Sequence, residues 1–294
     1  MPCDFPVPTL DHVVVNARDR LDEVAQTYRR LGFSLTPRGY HTLGSMNHLA
    51  MFGTDYLELL GSRPGEDSRP ELMAAPFGLD GLVFGTENAT ATHRTLLRNA
   101  VPIDPPRQFS RPVPVEAMTA DDTTVCCAES EPRDAVFRTT QLRRDATPAG
   151  RFYFCQHLTR DLVWRDAWRQ HPNAAVGVAR AVIAAEDPAI LGGLFARMFG
   201  ARPVRQTDDG CSLILGLARF DVVTPPALWE MLGAAAPDSR GRRDYMAALT
   251  IRTLSLDAVE TALDAGGIRG WDRIGTSVLV PAREAFGVTI EFSV

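Results

Sequence analysis

The first sixty residues alternate between patterns typical of strands and of helices. Residues 10–16 (LDHVVVN) contain three consecutive valines after His12 and predict a buried strand. From Leu21 to Phe33 apolar residues recur at helical spacing, which predicts a helix that ends near Gly32. Its buried stripe consists of Leu21, Val24, Ala25, Tyr28 and Leu31. Residues 56–60 (YLELL) predict another strand, in which alternation puts Glu58 on the same face as Tyr56 and Leu60.

His12 and Glu58 are polar side chains in strands that the pattern places inside the protein. Leaving such a group buried without a partner costs on the order of 1 to 3 kcal/mol. For His12 a backbone partner satisfies this requirement and implies no function. Glu58 is more informative, because a buried charge is usually paired or bound to a metal. One imidazole and one carboxylate on two strands of one sheet are half of a first-row metal site.

A similar order of elements follows residues 61–76, which are rich in Gly, Pro and charge and are predicted to be a linker. Residues 79–84 (LDGLVF) predict a strand in which Gly81 stands where His12 stands in the first. A helix is predicted over 88–99, then a proline-broken stretch through Pro114, then strands over 123–128, 135–141 and 151–158. The last strand contains Gln156 and His157, and without a bulge only one of them can face inward. The pattern leaves both alternatives open.

The second half of the chain repeats the first. Residues 182–187 and the helix that ends at Gly200 align with 14–19 and Gly32 at a constant offset of 168 (187 minus 19). At this offset Arg180 stands in the place of His12. The closing strand 220–223 separately resembles 57–60, which puts Asp221 in the place of Glu58. We predict that Arg180 and Asp221 form a pair, because a guanidinium can satisfy a carboxylate without metal.

A last repeat predicts strands over 245–252, 277–280 and 288–292 and a helix over 255–265, with Glu291 in its closing strand. The polar connector 159–173 contains Trp164 and Trp168, and we expect the two rings to pack it onto a domain or to line a pocket. The boundary between two predicted domains, 1–160 and 161–294, falls within this connector.

A strand with a histidine, a helix ending in Leu-Gly-Phe, a Gly-Ser-x-Asn strand and a closing Tyr-Leu-Glu-Leu strand together form a recognisable module. It resembles the first βαβββ module of the vicinal oxygen chelate superfamily and, more narrowly, the glyoxalase-like domain proteins of that superfamily. The resemblance is close over residues 8–61. It implies an α+β fold of four βαβββ modules, paired into two half-open curved sheets. It also implies that His12 and Glu58 bind a divalent metal ion (Fe, Mn, Ni, Co or Zn).

One imidazole and one carboxylate alone hold a divalent ion poorly. Candidates for a third ligand are Gln156, His157, His48 and a residue of a partner chain in a homodimer. Asn47 and His48 are neighbours on one predicted strand, so one of them should face inward toward a substrate. The second half retains only Glu291 of the ligands that the superfamily's ring-cleaving dioxygenases place there, and we expect it to bind no metal.

Composition restricts the partners. The chain has 294 residues, with 45% apolar and 23% charged residues, as is typical of folded domains. A net charge of -5 with interspersed signs argues against a nucleic-acid partner. No apolar run approaches the roughly 18 to 20 residues of a membrane span, and we expect a cytoplasmic protein. The five cysteines lack zinc-motif spacing, so reduced thiols are expected.

Two functions remain. The leading hypothesis is a metal-dependent glyoxalase-like enzyme, of the lyase, isomerase or dioxygenase type, acting on a small oxygenated substrate in the N-terminal half. The alternative is a metal-free protein of the same fold that binds or sequesters a small molecule. A third inward-facing ligand would favour the enzyme.

Overall fold

The computed structural model describes residues 5–63, 69–114 and 132–294. The first half of the chain contains β1 Leu10–Arg18, α1 Leu21–Arg30, β2 Gly39–Tyr40, β3 Ser45–Met51, β4 Tyr56–Ser62, α2 Pro70–Ala74, β5 Gly78–Gly85, α3 Ala89–Arg98, β6 Arg107–Val113, β7 Arg133–Gln141 and β8 Arg151–His157. The second half contains β9 Ala175–Ala184, α4 Pro188–Phe199, β10 Val204–Thr207, β11 Gly210–Leu215, β12 Ala218–Val223, α5 Pro225–Leu232, β13 Tyr245–Thr253, α6 Leu256–Ala265, β14 Asp272–Ile274, β15 Ser277–Val280 and β16 Thr289–Ser293.

Each half forms one 8-stranded sheet, ordered β2-β3-β4-β1-β5-β8-β7-β6 in the first and β10-β11-β12-β9-β13-β16-β15-β14 in the second. The opening strand of each module pairs in parallel with its own closing strand, as β1 does with β4 and β5 with β8. The two opening strands of a half pair antiparallel at the centre of the sheet. The predicted α+β fold of four paired βαβββ modules is therefore confirmed.

The first sheet curls until its two edges meet. The amide of Thr42, just after β2, donates a hydrogen bond to the carbonyl of Ser110 in β6 at 2.9 Å. The amide of Ser110 donates back to Thr42 Oγ1 at 3.1 Å. These bonds nearly close the sheet around an internal space.

The four predicted helices, α1, α3, α4 and α6, begin and end close to where the sequence places them, whereas α2 and α5 are not predicted. The apolar stripe of α1 is buried, as predicted. Asn88 caps α3 by accepting a hydrogen bond from the amide of Ala91 at 3.0 Å, which explains why the helix begins there. In the described part of the chain, no helix combines the length and the apolar character needed to cross a membrane.

Two sequence expectations about the second module need correction. The proline-broken stretch contains β6, which is an edge strand and can therefore include Pro112 without removing a hydrogen bond from the interior of the sheet. The predicted linker 61–76 contains the end of β4 and the helix α2, which has Pro70 at its first position. The strand predicted over 123–128 lies outside the described residues.

The connector between the sheets is anchored more firmly than its polar sequence suggests. His171 is buried, donates from Nε2 to the carbonyl of Met51 at 2.8 Å, and accepts from the amide of Ser34 at 3.0 Å. The side chain of Asn173 donates to the carbonyl of Leu31 at 2.9 Å. Trp164 and Trp168 pack against the apolar cluster of the first half.

One apolar core joins the two sheets. Phe84 of the first sheet contacts Phe199 and Phe220 of the second half, with ring centroids 4.9 and 5.7 Å away. Phe33 stacks on Phe292 at 5.8 Å. This core contains side chains of both halves. The domain boundary near residue 160 stays a prediction.

Asp55 links the halves through a polar contact. It lies between β3 and β4, is buried, and accepts a hydrogen bond at Oδ1 from the amide of Val178 in β9 at 2.9 Å. Burial raises its pKa to about 6. Ionised Asp55 therefore weakens the interface at neutral pH.

We predict that Asp55→Asn removes this penalty. The folded pKa lies above the unfolded value, so the folded state holds the proton more tightly and wild-type stability falls as pH rises through the window from about 4 to 6. At pH 8 the variant should be more stable, by on the order of 1 to 3 kcal/mol. Near pH 4.5 the two proteins should converge. Urea unfolding at both pH values tests this, with exposed Asp264→Asn as the control, and an equal difference at the two values would contradict it.

Candidate functional site

A β-bulge places two consecutive side chains on one face of β1. In the pairing of β1 with β5, Leu10 lies opposite Phe84 and His12 opposite Val83, so Asp11 has no partner residue. Asp11 Oδ1 lies 2.6 Å from His12 Nδ1. A carboxylate can only accept, so Nδ1 carries the proton and Nε2 of the neutral ring can accept or bind a metal.

The environment of Asp11 keeps its carboxylate ionised. Burial alone would raise its pKa, but the adjacent His157 and His12 lower the pKa well below its usual range. The ring of His12 stacks on Tyr56, with centroids 4.4 Å apart and an interplanar angle of 12°. His12 is thus fixed on both its Nδ1 edge and its face.

Glu58 lies next to the Nε2 edge of His12. Its Oε2 is 3.6 Å from His12 Nε2, and its Oε1 accepts from Asn47 Nδ2 at 2.7 Å. Asn47 lines the same cavity as His12 and Glu58. His48 points the other way and donates from Nδ1 to the carbonyl of Thr36 at 2.8 Å. Of the two predicted substrate contacts, only Asn47 faces this cavity.

Tyr153 occupies the place in the second module that Glu58 occupies in the first. In the pairing of β1 with β5, Val14 lies opposite Gly81 and His12 opposite Val83, so a local twofold relates His12 to Gly81 and Val14 to Val83. Glu58 pairs with Val14 and Tyr153 pairs with Val83. The Tyr153 hydroxyl lies 3.1 Å from His12 Nε2. Burial and the nearby Glu58 raise the pKa of Tyr153, so its hydroxyl keeps its proton.

Neither Gln156 nor His157 faces Glu58. Gln156 lies on the helix side of β8, where it accepts from the amide of Ala89 at 3.2 Å and donates to the carbonyl of Glu87 at 2.8 Å. His157 shares a face with Tyr153, but its Nε2 contacts Asp11 Oδ1 at 3.0 Å. His157 therefore joins His12 only through Asp11.

A second group of side chains has the composition of a metal site. Ligand atoms of Asp11, Cys155 and His157 lie within 4.8 Å of one another, and no other such trio occurs among the described residues. Burial raises the pKa of the Cys155 thiol, so an ion bound here would have to displace the thiol proton. Asp11 is also already engaged by His12.

The space enclosed by the first sheet is a cavity of about 740 Å³. This volume suits a small organic molecule. Besides His12, Glu58, Asn47 and Tyr153, its wall includes the arginines Arg69, Arg107, Arg111 and Arg151 and the apolar side chains Leu43, Leu49, Leu60, Phe109 and Phe137. The wall also includes His41, Glu71 and Asp104, so the cavity combines two imidazoles and three carboxylates with four guanidinium groups and aromatic side chains.

The corresponding face of the second sheet is packed and internally paired. Arg180 donates from Nε to Asp221, which confirms the predicted pair. Asp221 also accepts from Ser212 Oγ at 2.6 Å and from Arg219 Nε at 3.1 Å. Leu228 of α5 packs with the surrounding apolar side chains on this face. Glu291 accepts from Thr250 Oγ1 at 2.7 Å.

We predict a moderate loss of stability for Arg180→Met. The Arg180 side chain is 19% exposed, and Asp221 keeps Ser212 and Arg219 as partners. The loss should therefore be about 1 to 2 kcal/mol, below the 3 to 5 kcal/mol typical of a fully buried pair. Arg219→Met, at a side chain that is 52% exposed, should cost about 0.5 kcal/mol or less. Chemical denaturation measures both, and equal losses would show that Arg180 has no special role.

The paired βαβββ modules are the architecture of the vicinal oxygen chelate superfamily. Residues 10–199 match the family model described as a glyoxalase-like domain, and the chain belongs to this family. No curated protein matches the chain at a significant level.

Solved structures share the architecture over nearly the whole chain. A hypothetical protein from Staphylococcus aureus superposes with a TM-score of 0.62 at 14% identity, covering 97% of this chain and 98% of the other. A xylose isomerase-like TIM barrel/4-hydroxyphenylpyruvate dioxygenase fusion protein gives 0.58 at 11% identity, covering 100% and 50%. A mutant of 4-hydroxymandelate synthase from Streptomyces coelicolor gives 0.56 at 9% identity, covering 98% and 92%. At these identities the likeness establishes the fold alone.

Sequence reasoning missed Asp11, Tyr153 and Arg111. A signal for Asp11 was present, because a Leu-Asp pair recurs at residues 10–11 and 79–80 and marks the bulge in both opening strands. Tyr153 required the register of β8, which alternation alone does not determine. Arg111 lies in the edge strand that the proline obscured.

Proposed function

We propose that the cavity of the first sheet is the active site of a metal-assisted enzyme that acts on a small oxygenated substrate. The observation that carries the proposal is the approach of His12 Nε2 to Glu58 Oε2, 3.6 Å apart, at the wall of this cavity. The two atoms come from separate strands and are close enough to bind one ion between them. The enzymes named among the structural neighbours are compatible with this proposal.

The donor set suits a divalent ion with two protein ligands. Asp11 accepts from Nδ1 of His12, as carboxylates do when the opposite imidazole nitrogen binds a metal. The third group near Nε2 is the neutral hydroxyl of Tyr153, which is a weak metal ligand. Such a site depends on substrate oxygen atoms to complete the coordination. The ion would supply positive charge to stabilise an oxyanion that forms on the substrate.

The surrounding side chains have their own roles in this proposal. Asn47 holds Oε1 of Glu58 and so fixes the carboxylate beside His12. The Tyr153 hydroxyl donates to His12 Nε2 at 3.1 Å; with an ion on that nitrogen it would instead be free to donate a hydrogen bond to a substrate oxygen in the cavity. Tyr56, stacked on His12, restricts the access of water to the ring.

The alternative function is metal-free binding of a small molecule. In the second module, Gly81 and Tyr153 stand at the positions that correspond to His12 and Glu58. The cavity therefore has only two strong metal ligands at these four positions, which supports the alternative. Lyase, isomerase and dioxygenase reactions all require catalytic groups beyond His12 and Glu58. Binding of a small molecule does not require them.

We predict that His12→Gln and Glu58→Gln lose bound metal while they keep the fold. Each change removes one of two strong ligands but leaves an amide that can hydrogen-bond in the same place. The proteins are loaded with cobalt(II), desalted and assayed for metal content and cobalt absorption, and circular dichroism checks the fold. His93→Gln, on α3, is the matched control and should bind cobalt like the wild type.

The Cys155→Ser variant distinguishes the two groups of donors. Metal held by His12 and Glu58 should remain, whereas metal held by Asp11, Cys155 and His157 should be lost or show a changed spectrum. If wild-type protein retains no cobalt, nickel, zinc or manganese after loading, the metal-free binder is the better description.

A further inference from the structure

Arg111 is a buried cation for which the described residues supply no hydrogen-bond partner at Nε or Nη2. It lies on β6, is 4% exposed and lines the cavity. A buried guanidinium without hydrogen-bond partners destabilises the folded state. Its presence in a cavity wall therefore indicates that a bound molecule supplies the partners.

The backbone leaves room for this guanidinium. A side-chain carbon added at Gly39 would lie 2.9 Å from both Cδ and Nη1 of Arg111 and would also overlap Asn47. Any residue larger than glycine would therefore displace Arg111. The position of Arg111 is built into the contact between the two edges of the sheet.

Arg151 contributes a second guanidinium to the same wall. It is 5% exposed, and its Nε donates to Asp80 Oδ2 at 3.0 Å, which fixes the side chain. Its Nη2 has no hydrogen-bond partner among the described residues. By contrast Arg69, another arginine of the wall, is engaged by Glu71 and by Ser45.

Glu58 does not neutralise Arg111 or Arg151 by direct contact. Glu58 is bonded to Asn47 and approaches His12, and no ion pair joins it to Arg111 or Arg151 within the described part of the chain. Near the cations, Phe109 and Phe137 stack with centroids 5.3 Å apart and line the cavity. The wall therefore offers unsatisfied N–H donors beside an aromatic surface.

We infer that the cavity binds a small organic anion whose carboxylate or phosphate oxygens accept hydrogen bonds from Arg111 and Arg151, while its apolar part packs on Phe109 and Phe137. This inference rests on the proposed function in one respect, since it takes the same cavity as the substrate site and names the substrate class. It does not require a metal.

Calorimetric titration of metal-stripped protein tests the inference. The probes are phenylacetate, its neutral isostere phenylacetamide, phenyl phosphate and inorganic phosphate. At least one organic anion should bind about tenfold or more tightly than phenylacetamide, because charge-assisted hydrogen bonds to a guanidinium are among the strong ones. Tighter binding of phenyl phosphate identifies a phosphate ester, and tighter binding of phenylacetate identifies a carboxylate.

Arg111→Met should weaken binding of the preferred anion by about 10- to 100-fold and leave phenylacetamide unchanged. Arg111→Lys should restore part of the affinity, because it keeps the charge but loses the planar fork. Arg98→Met, on α3 and away from the cavity wall, should bind like the wild type.

The melting temperature separates this role from a structural one. Removing an unpartnered buried charge should leave Arg111→Met as stable as wild type or more so, whereas a structural arginine would make the variant less stable. Arg151→Met is not decisive, because Asp80 would lose its partner. The inference is overturned by any one of three results. No organic anion binds, phenylacetamide binds as tightly as the anions, or Arg111→Met binds the anion with wild-type affinity. Because no metal is present, these outcomes do not depend on the cobalt experiment.

Discussion

The antiparallel pairing of β1 with β5, with one bulge in each strand, determines the chemistry of the cavity. Strict alternation would send Asp11 and His12 to opposite faces, but the bulge turns both toward the cavity side. The related bulge at Asp80 lets that carboxylate hold Arg151. One irregularity, repeated by the local twofold, thus fixes a histidine in one module and an arginine in the other.

The two halves use one scaffold but satisfy their polar groups differently. In the second sheet, Asp221 finds Arg180, Ser212 and Arg219 inside the protein, and apolar residues fill the space beside them. These charges need no further partner. In the first sheet, the edges meet around open space and Arg111 keeps nitrogen atoms without partners in the described structure. The physical contrast is between polar groups satisfied on folding and polar groups left for a ligand.

The sequence predicts the modules well because hydrophobic periodicity and caps are local signals. It also predicts that His12 and Glu58 lie on strands of one sheet, since the module topology brings the first and last strands together. It does not predict which neighbours join them. Alternation offers Gln156 or His157, whereas curvature and register bring Tyr153 beside His12 and leave His157 behind Asp11. Arg111 escapes prediction because an edge strand tolerates a proline that usually marks a loop.

Opposite charges are held at separate places on the cavity wall, so a bound anion would have a preferred orientation. Asn47 holds Glu58 and Asp80 holds Arg151, so Glu58 and Arg151 do not form a direct pair. In a poorly hydrated space such charges act strongly on a bound molecule. An anionic group is attracted to the guanidinium groups and repelled by Glu58, so an elongated acid would turn its other end toward His12 and Glu58. This separation of charges would therefore orient a substrate oxygen toward His12 and Glu58.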